Sequence, residues 1–376
     1  MRRTPRGWVP YAARWYGLIL MMMLPLAGAA SAQAPRGDFA LGPIVARPGT
    51  AASGQLPIPD GVDPGTFIPI TLLHGARPGP VLALIAGVHG SEYTPILALQ
   101  RVRPRIDPSR LAGTVILVHA ANVPAFFGRT VYIGPVDGKN LNRSFPGKPE
   151  GTITERIAHA LTEQILRRAD FVVDLHAGDA NEALHPWTGY YAKHGTPEVI
   201  ARSRQMAIAF GVEHIVMFPM ENLNIDQALY TGAAAVALGK PSFDVEVGGL
   251  GRTTPEQLAL VERGVLGLLR HLRMLDGPPA PAKNPIFIER RANLKSEVEG
   301  LFYPTVEAGQ RVKAGTLLGY VTDFFGNRIA EHRAPHGGVV LVLFGTPPVR
   351  PGETVAVVGE VSPGARMSTP SKSTTE

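Results

Sequence analysis

A doubly wound α/β fold, its sheet mixed but mainly parallel, followed by a small all-β unit, is what this chain of 376 residues predicts. Three observations lead there. Residues 81–86 (VLALIA), 113–119 (GTVILVH), 171–175 (FVVDL) and 242–247 (SFDVEV) are apolar runs without strict alternation, the pattern of parallel strands covered on both faces. Helical periodicity alternates with these runs, as it does when a parallel sheet is wound on both sides. Past Asp276 the pattern changes to short β segments separated by glycine.

The first 32 residues read as a secretory leader. Arg2, Arg3, Arg6 and Arg14 form a basic start, residues 17–26 an apolar stretch, and Ala30-Ser31-Ala32 a small-residue cleavage site before Gln33. A membrane anchor fits poorly, because a span needs about twenty apolar residues and Pro25 interrupts this stretch. Cleavage after Ala32 and export, to the periplasm of a Gram-negative source, are expected, with no membrane span in the mature form. The leader also explains the charge. The chain carries +6, and without those four arginines only +2, so a nucleic-acid partner is not indicated. There is no cysteine, hence no disulfide framework and no lipid-bearing thiol.

Residues 33–65, rich in proline and glycine, read as an extended arm. Residues 66–275 form the catalytic domain. It opens on a β-rich stretch, 66–73 (TFIPITLL), and a turn cluster, 75–80 (GARPGP). Helices are expected over 93–102, 154–168, 198–210 and 255–275. Thr152 with Glu155 three residues on suits a capping box. Residues 276–285 (DGPPAPAKNP) are a linker, 286–361 the β-rich C-terminal unit, and 362–376 a polar, disordered tail. The order of glycines and strands in 286–361 resembles the barrel-sandwich of biotinyl and lipoyl carriers. The stretch where a carrier holds its lysine is 322–327 (TDFFGN) and has none, so packing or gating of a substrate is the expected duty.

Chemistry concentrates at the strand ends, where doubly wound sheets place their sites. The first run opens onto Gly87-Val88-His89-Gly90-Ser91-Glu92, a glycine turn carrying His89 and Glu92 three residues apart. A helix start in which Glu92 merely complements the dipole competes with a metal site here. His176, in Asp174-Leu-His176-Ala-Gly, ends the third run and tips the balance. Two histidines and a glutamate make a catalytic zinc set with coordination left open. Asp174 lies on the same strand face and can orient a ligand. Asp244 and Glu246 end the fourth run; Glu246, nearer the strand end and longer, is the candidate acid–base. Asn142 and Arg143, in the polar loop 137–147, suit a substrate carboxylate, and Arg129 offers a second cation for a developing oxyanion.

His89-x-x-Glu92, Asn142-Arg143 within NLNRSFPG, Asp174-Leu-His176 and Glu246-Val-Gly-Gly together resemble the succinylglutamate desuccinylase/aspartoacylase family, a branch of the zinc carboxypeptidase superfamily. The resemblance covers roughly residues 54–275 and, more loosely, the C-terminal unit. It implies a zinc carboxypeptidase-like fold and one Zn2+ per chain on His89, Glu92 and His176. It further implies attack by a metal-bound water with Glu246 as general base, Arg129 on the scissile carbonyl, and Asn142 and Arg143 on a carboxylate. One departure stands out. The family often has an aspartate two residues before the Asn-Arg pair, orienting the first histidine, and Asn140 occupies that place.

An exported zinc hydrolase of an amide bond beside a free carboxylate, of the N-acyl amino acid deacylase type, is therefore expected. The alternatives are a metallocarboxypeptidase acting on small or cell-wall peptides and, less favoured, a non-catalytic binding protein on the same scaffold. A serine hydrolase lacks support, since no Gly-x-Ser-x-Gly elbow occurs. The expected partner is a small carboxylate-bearing molecule, with assembly into a homo-oligomer open. Specificity is expected from residues 180–196, with Trp187, Tyr190, Tyr191 and Lys193, and from 248–254.

Overall fold

A computed structural model describes residues 36–361 apart from Asn222; the expected leader with its cleavage point and the tail 362–376 lie outside the described residues. Strands β1 (Phe39–Leu41) and β2 (Ile44–Ala46) form a hairpin that puts Leu41 and Ile44 into the core. Next come β3 (Thr50–Ile58), β4 (Thr66–His74), β5 (Arg77–Ala86), β6 (Ala112–Val118), β7 (Phe171–His176) and β8 (Glu182–Leu184). They are followed by β9 (Trp187–Tyr191), β10 (His214–Phe218), β11 (Ser242–Glu246) and β12 (Ile286–Ile288). All of these from β3 on, except β8, join one nine-stranded sheet in the order β12-β10-β9-β11-β7-β5-β6-β4-β3. Its middle, β11-β7-β5-β6, is parallel, and β9 runs antiparallel to β11.

Among the described residues six α-helices form: α1 (Tyr93–Val102), α2 (Val123–Gly128), α3 (Ile153–Gln164), α4 (Pro197–Ala209), α5 (Thr231–Ala237) and α6 (Pro255–His271). The period-2 geometry of a strand explains why both faces are covered. In β5, Ala83 and Ile85 face a core with Ile157 and Leu161 of α3 and Ala234 of α5. Leu82 and Leu84 face the opposite core, with Leu99 of α1 and Val265 and Leu268 of α6. Strands buried on both sides have no polar face to alternate, so their sequences read as continuous apolar runs.

The C-terminal chain supplies β13 (Arg291–Lys295), β14 (Gly300–Pro304), β15 (Arg311–Val312), β16 (Leu317–Thr322), β17 (Arg328–Arg333), β18 (Gly338–Phe344), β19 (Pro348–Val349) and β20 (Thr354–Gly359). They form two antiparallel sheets, β13-β20-β18-β15 and β17-β16-β14-β19, around a core that includes Phe302, Leu318, Val340 and Val358. Strand β8, from the catalytic part of the chain, pairs with β18 (Leu343↔Ala183). A shared cluster of Trp187, Val216, Ile288, Val339 and Leu341 joins the two parts.

Four sequence expectations need correction. Residues 50–58 of the supposed arm are β3, paired with β4 along its whole length. Gly54 and Pro57 masked it, yet both are tolerated on the sheet edge it occupies. Residues 286–288, placed in the C-terminal unit, complete the large sheet as β12 on β10. The helix expected over 154–168 ends at Gln164 before a 3-10 turn, and α6 stops at His271, where Arg273 adopts a left-handed φ of 58°.

Candidate metal centre and its cavity

Three parallel strands deliver the site. The turn after β5 carries His89 and Glu92, β7 ends on His176, and β11 ends on Glu246, in register with His176. Glycine is required in that turn. Gly87 has φ +70°, and a Cβ on Gly90 would lie 2.1 Å from the carbonyl oxygen of Ala125, so only glycine lets the backbone at α2 come so close. Glu92 occupies the cap position of α1 but makes no side-chain cap bond. Its carboxylate turns to the two imidazoles, which decides against the helix-start reading.

Glu92 Oε1 lies 2.7 Å from His89 Nδ1, and Oε2 lies 2.8 Å from His176 Nδ1. The amide of Ala177 donates to Oε2 at 3.2 Å. One ligand atom from each of His89, Glu92 and His176 falls within 4.8 Å of the others. The outer ring nitrogens are also engaged. His89 Nε2 stands 3.1 Å from Asn140 Oδ1, and His176 Nε2 stands 3.0 Å from Asp174 Oδ2. Asn140 thus occupies the orienting place, and Asp174 serves the second histidine. Both Nδ1 atoms face Glu92, while Asn140 Oδ1 stands behind His89 Nε2, and Asp174 Oδ2 and, at 3.4 Å, Asn142 Nδ2 stand near His176 Nε2; groups so placed can fix tautomer and aim in metal sites.

Electrostatics agree with a cation site. Burial opposes charge on Glu92, but the two imidazoles outweigh it and hold its carboxyl down at about 2. Burial likewise opposes a charged His176, and Asp174 with Glu92 reverses this and raises it well above the ordinary range. The carboxylate and the imidazoles favour one another's charged forms, and a divalent ion bound there would take the place of the ring protons. Beside it, burial and the negative charges of Glu92, Glu182 and Asp244 push Glu246 well above the carboxylate range. Burial, then Asp174, takes Asp244 up to about 8. Glu246 Oε2 is buried without a hydrogen-bond partner, a costly state that a nearby positive charge relieves.

These groups line a cavity of about 610 Å³. Asn142 is fixed there: its Oδ1 accepts from the amide and hydroxyl of Thr231 at 2.9 and 3.1 Å. The Arg143 guanidinium stacks 4.4 Å over the Tyr230 ring and donates to the Asn142 carbonyl at 2.6 Å. Asp244 lines the cavity too, in direct register with Asp174 on the neighbouring strand. Arg129 is not brought in. It is exposed, caps α2 in a left-handed conformation (φ 52°), and is absent from the lining. Leaving α2 requires that turn, and it is Tyr132, three residues on, that reaches the cavity. Tyr132 has φ 61°, its N–H donates to Asp179 Oδ2 at 2.8 Å, and its hydroxyl donates to Glu182 Oε1 at 2.9 Å. Its ring stands edge-on to His89.

Of the residues expected to set specificity, Trp187 and Tyr191 line the cavity; Tyr190, Lys193 and the stretch 248–254 do not. The first two sit on strand β9 rather than a loop. Glu182 lies within the expected stretch 180–196 without having been singled out, and Tyr132, Tyr230 and Arg291 were missed. Glu182 had a visible signal, an acid six residues past His176. Arg291 had none, because only the return of the chain after β12 places it there.

The fold and the triad define a class: α/β proteins that gather two histidines and a glutamate at the ends of parallel strands, beside a polar loop that carries Asn142 and Arg143 into the same cavity. Residues 78–272 match the family model described as succinylglutamate desuccinylase/aspartoacylase catalytic domain. The chain is 34% identical, over 78% of its length and 86% of the relative's, to an N-alpha-acetyl-L-2,4-diaminobutyric acid deacetylase of Halomonas elongata. Among solved structures it resembles a succinylglutamate desuccinylase/aspartoacylase from Rhodobacter sphaeroides, with TM-score 0.73, 30% identity, and 83% of this chain and 96% of that one covered. It also resembles the product-bound ectoine utilization protein EutE (DoeB) from Ruegeria pomeroyi, with TM-score 0.74, 29% identity, and 86% and 100% covered. The chain belongs to the succinylglutamate desuccinylase/aspartoacylase family. It is a hydrolase acting on amide carbon–nitrogen bonds, with a small-molecule carboxylate as the consistent partner. Among the described residues, no helix is long and apolar enough to cross a membrane.

Proposed function

We propose that the protein is an exported, zinc-dependent deacylase of N-acyl amino acids, cleaving an amide bond beside a free carboxylate. The observation that carries this is the conjunction of His89, Glu92 and His176, within 4.8 Å ligand to ligand, with the buried, unpartnered Oε2 of Glu246 in one cavity. The donor set suits zinc, which takes histidine and carboxylate ligands and keeps a position open in catalytic sites. When bound there, zinc polarises a carbonyl and makes water a nucleophile near neutral pH. Glu246 takes the proton released as water adds to the scissile carbonyl and returns it to the leaving nitrogen. A buried carboxyl beside a bound cation is placed both to accept a proton and to give it back. Asn142, immobilised by Thr231, and Arg143 hold the carboxylate of the amino acid and so place its amide bond over the triad. Burial of the triad keeps bulk water from competing with these interactions.

The Halomonas relative makes N-alpha-acetyl-L-2,4-diaminobutyrate the first substrate to assay, beside other N-acetyl amino acids. The leader supports a second reading, a carboxypeptidase of cell-wall peptides. Zinc-loaded mature protein is expected to release free amine from N-acetyl amino acids, to leave muropeptides intact, and to lose activity on chelation. Muropeptide trimming without deacylation would favour the second reading. An exported protein whose mass does not begin at Gln33 would contradict the leader assignment.

A further inference from the structure

The hairpin between β16 and β17 turns through Thr322-Asp-Phe-Phe-Gly-Asn327, the stretch that carries no carrier lysine. Phe324 is 89% exposed and Phe325 90%. The turn that presents them is firmly built. Asp323 Oδ1 accepts from the backbone amides of Phe325 and Asn327, each at 2.9 Å, and Oδ2 accepts from the Asn327 side chain at 2.8 Å. Two adjacent phenyl rings on a pinned turn are costly in water and preorganised for a partner. The tip also carries charge, because Asn327 holds the Asp323 carboxyl below its ordinary range. A second cavity, of about 590 Å³, opens on the catalytic domain over β3 and β4, with Phe67, Ile96, Phe126 and Phe127 in its wall. That volume suits a compact apolar group. Among the described residues its lining holds no acid, and its one arginine, Arg103, makes no ion pair within 4.0 Å. The charge of Arg103 reaches into the cavity, where burial and then this arginine lower the pKa of His119. An apolar wall with an unpaired cation thus matches two phenyl rings beside an anion. The exposure of both rings shows that the tip does not fill the cavity of its own copy. The C-terminal unit joins the large sheet at β12, β10 and β9, and the cavity lies at the other end, on β4 and β3. Five strand spacings separate β9 from β4 and seven separate β12 from it, roughly 24–34 Å.

We propose that the Phe324–Phe325 tip of one copy inserts into the cavity over β3 and β4 of a second copy, with Asp323 meeting Arg103, and that two such contacts close a dimer. Tip and cavity belong to opposite ends of the sheet, so two copies lying antiparallel satisfy both contacts under one two-fold axis. Closure in this way leaves no open chain of subunits. One tip and the wall it meets bury about 600–1,000 Å². Two reach the range of a stable pair, about 1,200–2,000 Å², so the dimer is expected in the micromolar range rather than as a permanent assembly. The competing occupant of the tip is a lipid surface, which would need the phenyl rings but not Arg103. The inference does not depend on the deacylase reading, since no part of it is read through turnover.

The test begins with sedimentation velocity over a concentration series through the micromolar range, where the native protein is expected to pass from monomer to dimer. The double variant Phe324→Ser, Phe325→Ser is expected to weaken the dimer about a hundredfold, and Arg103→Glu about tenfold. The chain has no cysteine, so introduced ones report the contact. Gln100→Cys lies in the lining of the cavity, and Ile329→Cys lies beside the tip at a half-exposed position that leaves both rings in place. The two single variants are mixed and treated with a short bismaleimide. A link between position 100 of one copy and position 329 of the other, found by peptide mass spectrometry, is the expected result. A native protein that stays monomeric overturns the proposal, as does a dimer untouched by all these changes or a link formed only between two tips. Vesicles of phosphatidylcholine test the lipid surface. Co-sedimentation that needs the phenyl rings, from a protein that is monomeric in solution, overturns the proposal in favour of that occupant. Both rings are exposed, so the double variant is expected to keep the native melting temperature. If it does not, Arg103→Glu and the cross-link carry the comparison.

Discussion

Asn140 presents an amide oxygen, 3.1 Å from His89 Nε2, where the family resemblance often has a carboxylate. An amide accepts the imidazole proton but does not raise the basicity of the ring, so His89 would hold a metal less tightly than with a carboxylate behind it. Asn140→Asp is expected to tighten zinc by about tenfold at neutral pH, read by competition against a chromophoric chelator. The sign with pH follows. A carboxylate behind His89 adds to the raising effect of Glu92, so protons compete longer for the ring, and the gain should shrink as pH falls. Unchanged affinity at every pH would mean that Asn140 only positions the ring. The gathering of His89, Glu92 and His176 was legible in the sequence, since the His-x-x-Glu turn and the strand-end histidine have local signatures. Tyr132 was not, because a left-handed backbone at a tyrosine leaves no mark in composition, and Arg129 looked better placed by charge alone.

At the scale of elements, α3 shows how much a cap can say. Glu155 Oε2 accepts from the Thr152 amide at 3.0 Å and from its hydroxyl at 3.1 Å, and Lys139 Nζ lies 2.9 Å away. The Lys139 and Thr152 hydrogen bonds bring the Glu155 carboxyl down to about 2. A folded-state pKa below the unfolded value gives stability that is present above about pH 4.3 and lost as pH falls toward 2. Thr152→Ala is expected to cost about 1 kcal/mol in urea unfolding at neutral pH. Glu155→Gln should flatten the acid limb of the stability profile in that window, and an unaltered limb would remove this group from the acid sensitivity. Strands β5, β6, β7 and β11 were legible because burial on both faces makes them apolar throughout. Strands β3 and β9 were not. The first has one solvated face broken by Gly54 and Pro57, and the second, Trp187–Tyr191, is short and aromatic in a stretch that otherwise reads as loop.

Across the whole molecule, the C-terminal unit is part of the catalytic cavity rather than an appendage. Strand β8 pairs with β18, Leu341 packs with Trp187 and Ile288, and Arg291, Asn293 and Val342 complete the lining. Leu341 is fully buried, so Leu341→Ala is expected to destabilise by about 2–5 kcal/mol. It should also raise KM more than it lowers kcat, because the joint positions one wall of the cavity and not the triad. A loss confined to kcat would place the joint in the chemistry instead. This dependence was invisible in the sequence. Glycine spacing showed a β unit, but which of its residues meet the catalytic sheet depends on pairings between residues more than a hundred positions apart.

Glu246→Gln tests the central assignment most directly, through zinc content and turnover of an N-acetyl amino acid measured on the same preparation. The amide keeps the shape of the side chain and removes its capacity to move a proton. Zinc stoichiometry should match that of the native protein while kcat falls by about 10²- to 10⁴-fold. Turnover within a few fold of native, with zinc bound, would contradict the role given to Glu246.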